Sequence, residues 1–407
     1  MADGTYAGIS PFISNEAAVA AGALVVPLFV MNCSGTTKVG ILVTLASGDT
    51  SVTQLYEFDT GGKGFWASAP ALSAGKATDL VTQYTSGITY LAAAAEVTVT
   101  LTGIASGGAA PTISTSAYIG LVEEIYQLPK KTAGDAASVG KKDGNEELSS
   151  FPIYDYFFGD FGVSLAATST QPPNLTHPIP VSVVGYNQVS ILGVLSQLQS
   201  GTEQFFIVDL ANTDAQGVWD GQVPSLPDVG AQDAVTKVGR LIIGGGTALQ
   251  AAFSHPFQLQ PGAGPYVPPN ATAGSGFLTG SEQQIAGTLT VQVGSQTPQT
   301  LATTLTMDTG CPQVTLHAGT QLTADYESKP TTLTATDIHG ADVLLYPIPD
   351  KGGGSAHWDD TPNPNQPDSP GYVNSALEPF FSHPTAFWLF SASTQLPTVK
   401  APGAVLM

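Results

Sequence analysis

The chain has 407 residues with 12 Lys+Arg against 32 Asp+Glu, a formal net charge of −20 at pH 7, and is 42% hydrophobic but only 11% charged. That profile is too apolar for a disordered chain and too poor in charge for a coiled coil. One arginine and eleven lysines, thinly spread, leave no basic face for phosphates and argue against a nucleic-acid partner.

At roughly 150 residues per domain the length suggests two or three domains, each able to bury a core. Cys33 and Cys311 allow at most one disulfide, so this is no disulfide-stapled scaffold. The apolar stretch from Ala17 to Val30 is broken by Gly22 and Pro27 and follows no positive segment. It reads as a buried strand against which Cys33 packs, rather than as a signal peptide or membrane span. A soluble chain, cytoplasmic or secreted, is expected.

Strand signals then dominate. Runs rich in Val, Ile, Thr, Leu and Tyr recur between turn residues, at Val39 to Leu45, Val97 to Leu101, Ile179 to Val184, Arg240 to Ile243 and Thr288 to Val293. Helical spacing is best at Tyr118 to Leu128. Gln127 to Ser150 holds Lys130, Lys131, Lys141 and Lys142 with almost no apolar anchor, and reads as an exposed insertion. Asp359 to Pro370 is Pro/Asp/Asn-rich and continues neither strand nor helix. Its prolines replace the alternate oxygen ligands of a calcium loop, so no metal is expected there. The six histidines show no i,i+4 pair and no HExxH, no Gly-x-Ser-x-Gly elbow occurs, and Gly244-Gly245-Gly246 lacks the spacing of a dinucleotide loop. No metal or cofactor is expected.

The tripeptide Asp-Thr-Gly occurs twice, at Asp59-Thr60-Gly61 and Asp308-Thr309-Gly310, each at the end of a β-type run. Two carboxyls brought face to face share one proton, giving an acid and a base at the same pH. Such a pair can activate water and polarise a carbonyl, as amide hydrolysis without a covalent intermediate requires. Glycine permits the sharp turn, and a threonine hydroxyl can bond across a two-fold interface.

Phe58 to Trp66, with tryptophan seven after the aspartate, resembles the first active-site loop of the pepsin-like aspartic peptidases. Further segments follow in that family's order. Gln83-Tyr84-Thr85-Ser86-Gly87 and the run ending Glu96 to Val99 resemble the flap hairpin. Ser190-Ile191-Leu192-Gly193 resembles the hydrophobic-hydrophobic-Gly segment of the first lobe, and Arg240 to Gly245 the strand that leads out of it. Thr288 to Asp308 resembles the strands carrying the second aspartate, and Ala376 to Phe381 with Phe387 to Phe390 the closing strand pair. The sequence departs from the family at Gly62 and Cys311, where a Ser or Thr is usual, and at Ala376-Leu377-Glu378, where the second hydrophobic-hydrophobic-Gly is expected.

The resemblance implies an all-β, bilobal pepsin-like fold, with the first lobe over 1–240, including the 127–150 insertion, and the second over 250–407. It implies a monomeric aspartic-type endopeptidase acting on a polypeptide, with Asp59 and Asp308 catalytic and Thr60, Gly61, Thr309 and Gly310 in support. Tyr84, Gly87, Trp66 and Glu57 would line the substrate site. By strand alternation Glu57 shares a face with Asp59, and it reads either as a subsite residue favouring basic groups or as an edge residue in solvent. The rival expectation is a pepsin-fold protein that binds or inhibits without catalysing. A more distant one is a β-rich surface protein in which residues 59 and 308 are unrelated.

Overall fold

The computed structural model describes residues 12–72, 80–84, 88–105, 109–127, 146–147, 151–164, 191–192, 195, 199, 204–213, 219, 225–266, 277–291, 297–317, 331–348, 357–359, 372–389 and 403–407. Among them the chain is mostly β, as the sequence led us to expect. The strands of the first part are β1 (Leu24–Cys33), β2 (Thr36–Ser47), β3 (Thr50–Asp59), β4 (Phe65–Ala67), β5 (Leu80–Gln83), β6 (Ile88–Thr102), β7 (Thr112–Gln127), β8 (Glu146–Glu147), β9 (Gly159–Gly162), β10 (Gln204–Asp209) and β11 (Val235–Ile243). Then come β12 (Pro256–Tyr266), β13 (Phe277–Val291), β14 (Gln299–Thr306), β15 (Thr315–His317), β16 (Thr331–Thr336), β17 (Asp342–Ile348), β18 (His357–Asp359), β19 (Tyr372–Asn374), β20 (Thr385–Leu389) and β21 (Gly403–Leu406).

The meander β1–β2–β3 shows how sequence sets the site. Cys33 pairs with Thr36 across a two-residue turn, Ser34-Gly35, in which both residues have positive φ. This is the twist that a tight antiparallel hairpin needs. Along β3 the residues from Thr50 to Gln54 are exposed or half-buried, whereas Leu55 to Asp59 are all buried. The strand thus starts at the surface and delivers Asp59 into the interior. The apolar residues preceding the two aspartates, Phe58 and Met307, belong to one continuous core with Phe161, Leu305 and Val373. Strands β20 and β21 from the end of the chain pair with β10 and β12, knitting late segments onto early ones.

Two parallel pairings stand out. Beside the first motif β3 runs parallel to β9, with Glu57 opposite Asp160 and Asp59 opposite Gly162. Beside the second β14 runs parallel to β19, with Thr306 opposite Asn374. Glu57 and Thr306 each lie two residues before their aspartate, so Asp160 and Asn374 hold equivalent places.

Several sequence expectations are corrected. Of the stretch read as helical, Tyr118 to Gln127 lie instead in β7, paired with β6 from Thr102↔Thr112 to Ile88↔Gln127. A bulge between Leu91 and Ala92 leaves Glu123 and Glu124 both exposed, and this break in alternation imitates helical spacing. The apolar stretch at Ala17 opens as a helix, Asn15–Ala20, capped by the Ser14 hydroxyl, and becomes strand only at Leu24. Ile191 and Leu192 are helical and buried, so the strand beside Asp59 is β9. Residues 378–382 form a helix, and the strand beside the second motif is β19. Cys33 is buried in the core, as expected. The expected strand at 179–184 and the Pro/Asp/Asn-rich segment beyond 359 lie outside the described residues, as does nearly all of the 127–150 insertion. No helix among the described residues is long and apolar enough to cross a membrane.

Candidate active site

The two Asp-Thr-Gly turns meet. In each, the aspartate folds back on its own turn: Asp59 Oδ1 accepts the Gly61 and Gly62 N–H groups at 2.8 and 2.7 Å, and Asp308 Oδ1 accepts those of Gly310 and Cys311 at 2.8 and 3.2 Å. The threonines cross over. The Thr309 hydroxyl accepts the Thr60 N–H at 3.0 Å and donates to Phe58 O at 2.7 Å, while the Thr60 hydroxyl accepts the Thr309 N–H at 2.9 Å and donates to Met307 O at 2.7 Å. Both threonines are fully buried. Each carboxyl packs on the other turn's glycine: a Cβ on Gly310 would stand 2.2 Å from Asp59 Cγ, and one on Gly61 would stand 2.4 Å from Asp308 Cγ. Only glycine admits that approach.

The surroundings are rich in carboxyls. Burial, then the charges of Asp308, Asp160 and Glu57, push the Asp59 carboxyl well above the usual range. Asp160, from β9, is likewise raised, first by burial and then by Glu57. Lys38, on β2, supplies the countercharge. Its ammonium is 2.5 Å from Glu57 Oε1 and donates to Gly310 O at 2.7 Å, tying β2 to the second motif. Burial works most strongly, to lower the Lys38 pKa, but the Glu57 carboxylate and its hydrogen bond, with Tyr154 and Asp59, together outweigh it and the ammonium titrates above its ordinary value. On the far side, Asn374 Nδ2 donates to Asp308 Oδ2 at 2.6 Å. Among the described residues no set of three or more His, Cys, Asp or Glu side chains is arranged to hold a metal ion.

The remaining sequence-predicted residues are placed as follows. Tyr84 directly follows β5, and its N–H donates to the carbonyl of Ile88, the first residue of β6, at 2.9 Å. Its ring stands edge-on to Tyr90, and its hydroxyl donates to Asp160 Oδ2. Gly87 lies outside the described residues. Trp66 is buried against Gly120, with its indole N–H donating to Lys63 O at 2.9 Å. Glu57 does not reach solvent, being 7% exposed, and its pairing with Lys38 leaves no free negative charge for a basic substrate group. At Gly62 and Cys311 backbone N–H groups still serve the aspartates, but no hydroxyl does. The Cys311 thiol, pushed up to about 12 by burial and Asp308, donates to Gln313 O at 3.0 Å, surroundings that disfavour a thiolate.

Sequence reasoning missed Lys38, Asp160 and Asn374. The one usable signal was an acid alternating within the apolar run Phe157 to Val163; nothing local marked the other two.

No protein-family model matches the sequence, and no curated protein matches it. Among solved structures, the chain is similar to an aspartic proteinase from Irpex lacteus at 14% identity, covering 94% of this chain and 96% of that one with a TM-score of 0.45. It is similar to the Basic 7S globulin from soybean at 10% identity, covering 94% and 95% with a TM-score of 0.45. The pepsin-like fold is legible in the strands themselves: two equivalent Asp-Thr-Gly turns, each beside a parallel strand crossing and each closed by the other's threonine.

Proposed function

We propose that the chain is an aspartic-type endopeptidase that hydrolyses polypeptides by water activated between Asp59 and Asp308. The observation that carries this reading is the reciprocal Thr60–Thr309 bonding, which brings together two carboxyls, Asp59 buried and Asp308 half-buried, from positions 249 apart in sequence. Two carboxyls so placed share one proton, and Asp59, the more crowded by other acids, keeps it.

In the proposed reaction Asp308 takes a proton from water as its oxygen bonds to the scissile carbonyl carbon, while Asp59 gives its proton to the carbonyl oxygen. The tetrahedral diol then collapses. Its C–N bond breaks, the amide nitrogen leaves with the proton Asp308 had gained, and a diol hydroxyl returns a proton to Asp59. The products are a carboxylic acid and an amine, and both carboxyls are restored. Tyr84, on the hairpin, closes over the reacting bond.

The test is digestion of casein at acid pH by the full chain, with and without pepstatin, which mimics the tetrahedral intermediate. Cleavage blocked by pepstatin and lost in Asp59→Asn and Asp308→Asn is expected. A folded chain that cleaves nothing would instead favour a binding or inhibitory protein of the same fold, the reading to which the absent hydroxyls at Gly62 and Cys311 lend weight.

A further inference from the structure

Asp160 is the buried acid that the proposed chemistry leaves without a task. It is 2% exposed, and among the described residues nothing hydrogen-bonds its Oδ1. A charged oxygen left so would be strongly disfavoured. Its other oxygen accepts from Tyr84 on the hairpin and lies beside Asp59: a Cβ on Gly62 would meet Asp59 Oδ2 at 2.7 Å and Asp160 Oδ2 at 2.9 Å. The Asp160 carboxyl therefore fills the space where a side chain at residue 62 would stand. In the second motif the equivalent place belongs to Asn374, whose amide donates to Asp308 Oδ2 at 2.6 Å.

We propose that Asp160 is a positioning residue that supports Asp59 from β9 as Asn374 supports Asp308 from β19, takes the place of the hydroxyl missing at Gly62, and anchors the hairpin through Tyr84. An ionised carboxyl has no hydrogen to offer, so the role requires a proton on Asp160. The groups facing it favour that state on balance. Burial comes first, and Glu57 on β3 and Asp308 on the second turn oppose a further negative charge; the Tyr84 hydroxyl on the hairpin and Lys38 on β2 act the other way, but Lys38 is already engaged by Glu57, while Asp59 holding its proton and Tyr90 add no charge. The exchange also explains Gly62, since a serine there would collide with both carboxyls.

The inference rests on the peptidase reading for its kinetic part only. In carbon-13 spectra of the full chain, with the Asp160 carboxyl assigned through Asp160→Asn, the signal should stay that of a neutral acid from pH 4 to pH 6; an ionised Asp160 at pH 5 overturns the proposal whether or not the chain cleaves anything. In kinetics, Asp160→Asn keeps a donor and should hold kcat within about tenfold of wild type, whereas Asp160→Leu should lose on the order of a hundredfold, the effect of removing one positioned donor, and should shift the limbs of the pH–rate profile. Equal kcat and superimposable profiles for Asp160→Leu and wild type, or equal damage in both variants, would sink it. Thermal unfolding shows whether each variant folds. For a Leu variant that does not, Asp160→Ala, smaller than the native side chain, takes its place: activity equal to wild type, or equal damage in Asp160→Ala and Asp160→Asn, counts against the proposal. A wild type inactive in casein digestion fails the peptidase reading and leaves the spectroscopic result to judge the inference.

Discussion

Thr60 and Thr309 each use one hydroxyl to bind the backbone on both sides of the opposite aspartate, accepting the N–H after it and donating to the carbonyl before it. Thr60→Val or Thr309→Val keeps the shape but leaves a buried N–H and a buried carbonyl unpaired. At about 1–3 kcal/mol per orphaned group, each should cost about 2–6 kcal/mol in urea unfolding. The double variant should cost less than the sum, because both changes dismantle one network. Strict additivity would show that the two turns are not coupled.

Lys38 and Glu57 form a buried ion pair beneath the site. Removing one partner strands a charge, so Lys38→Met should lower stability by about 3–5 kcal/mol, whereas Lys38→Met with Glu57→Leu should recover most of that. Because Lys38 also holds Gly310 O, the double variant should regain stability without regaining full activity. Unfolding and casein cleavage measured on the same samples separate the two effects.

Asp59 and Asp160 both have raised pKa values in the fold, with burial as the first cause. Unfolded, each would lose its proton near about 3.9. Above that pH the folded chain holds more protons than the unfolded one, so the stability these groups contribute is fully present below about 3.9 and is lost as pH rises through their folded values. Asp59→Asn and Asp160→Asn remove this dependence. Relative to wild type, each variant should gain in unfolding midpoint as pH goes from about 4 to about 7. A constant difference would mean that neither carboxyl is held protonated.

Gly310→Ala should abolish cleavage, and not merely weaken it, because its Cβ would stand 2.2 Å from Asp59 Cγ, where the carboxyl cannot retreat without leaving its partner. The thiols should be silent by contrast. Burial pushes Cys33 up to about 11 and Cys311 up to about 12, so iodoacetamide at pH 8 should label neither in the native chain and both after unfolding. Rapid native labelling of Cys311 would contradict its bond to Gln313 O.

Local chemistry written in consecutive residues was legible from the sequence. Strand-forming runs, the turn at each Asp-Thr-Gly and the hairpin carrying Tyr84 depend on neighbours a few positions apart, and the repeat of one motif on two strands is itself a pattern in sequence. Tertiary structure decided what surrounds the carboxyls. Glu57 reads equally as a subsite residue or a surface acid until β2 lays Lys38 against it, and Asp160 and Asn374 become equivalents only through two parallel pairings. The β6–β7 bulge shows the same limit, since alternation read along β7 alone breaks where its partner shifts register. Periodicity records which face of a strand is buried. It does not record which distant strand lies beside it, and it is that neighbour that sets the charge, the hydrogen bonds and the proton affinity at Asp59.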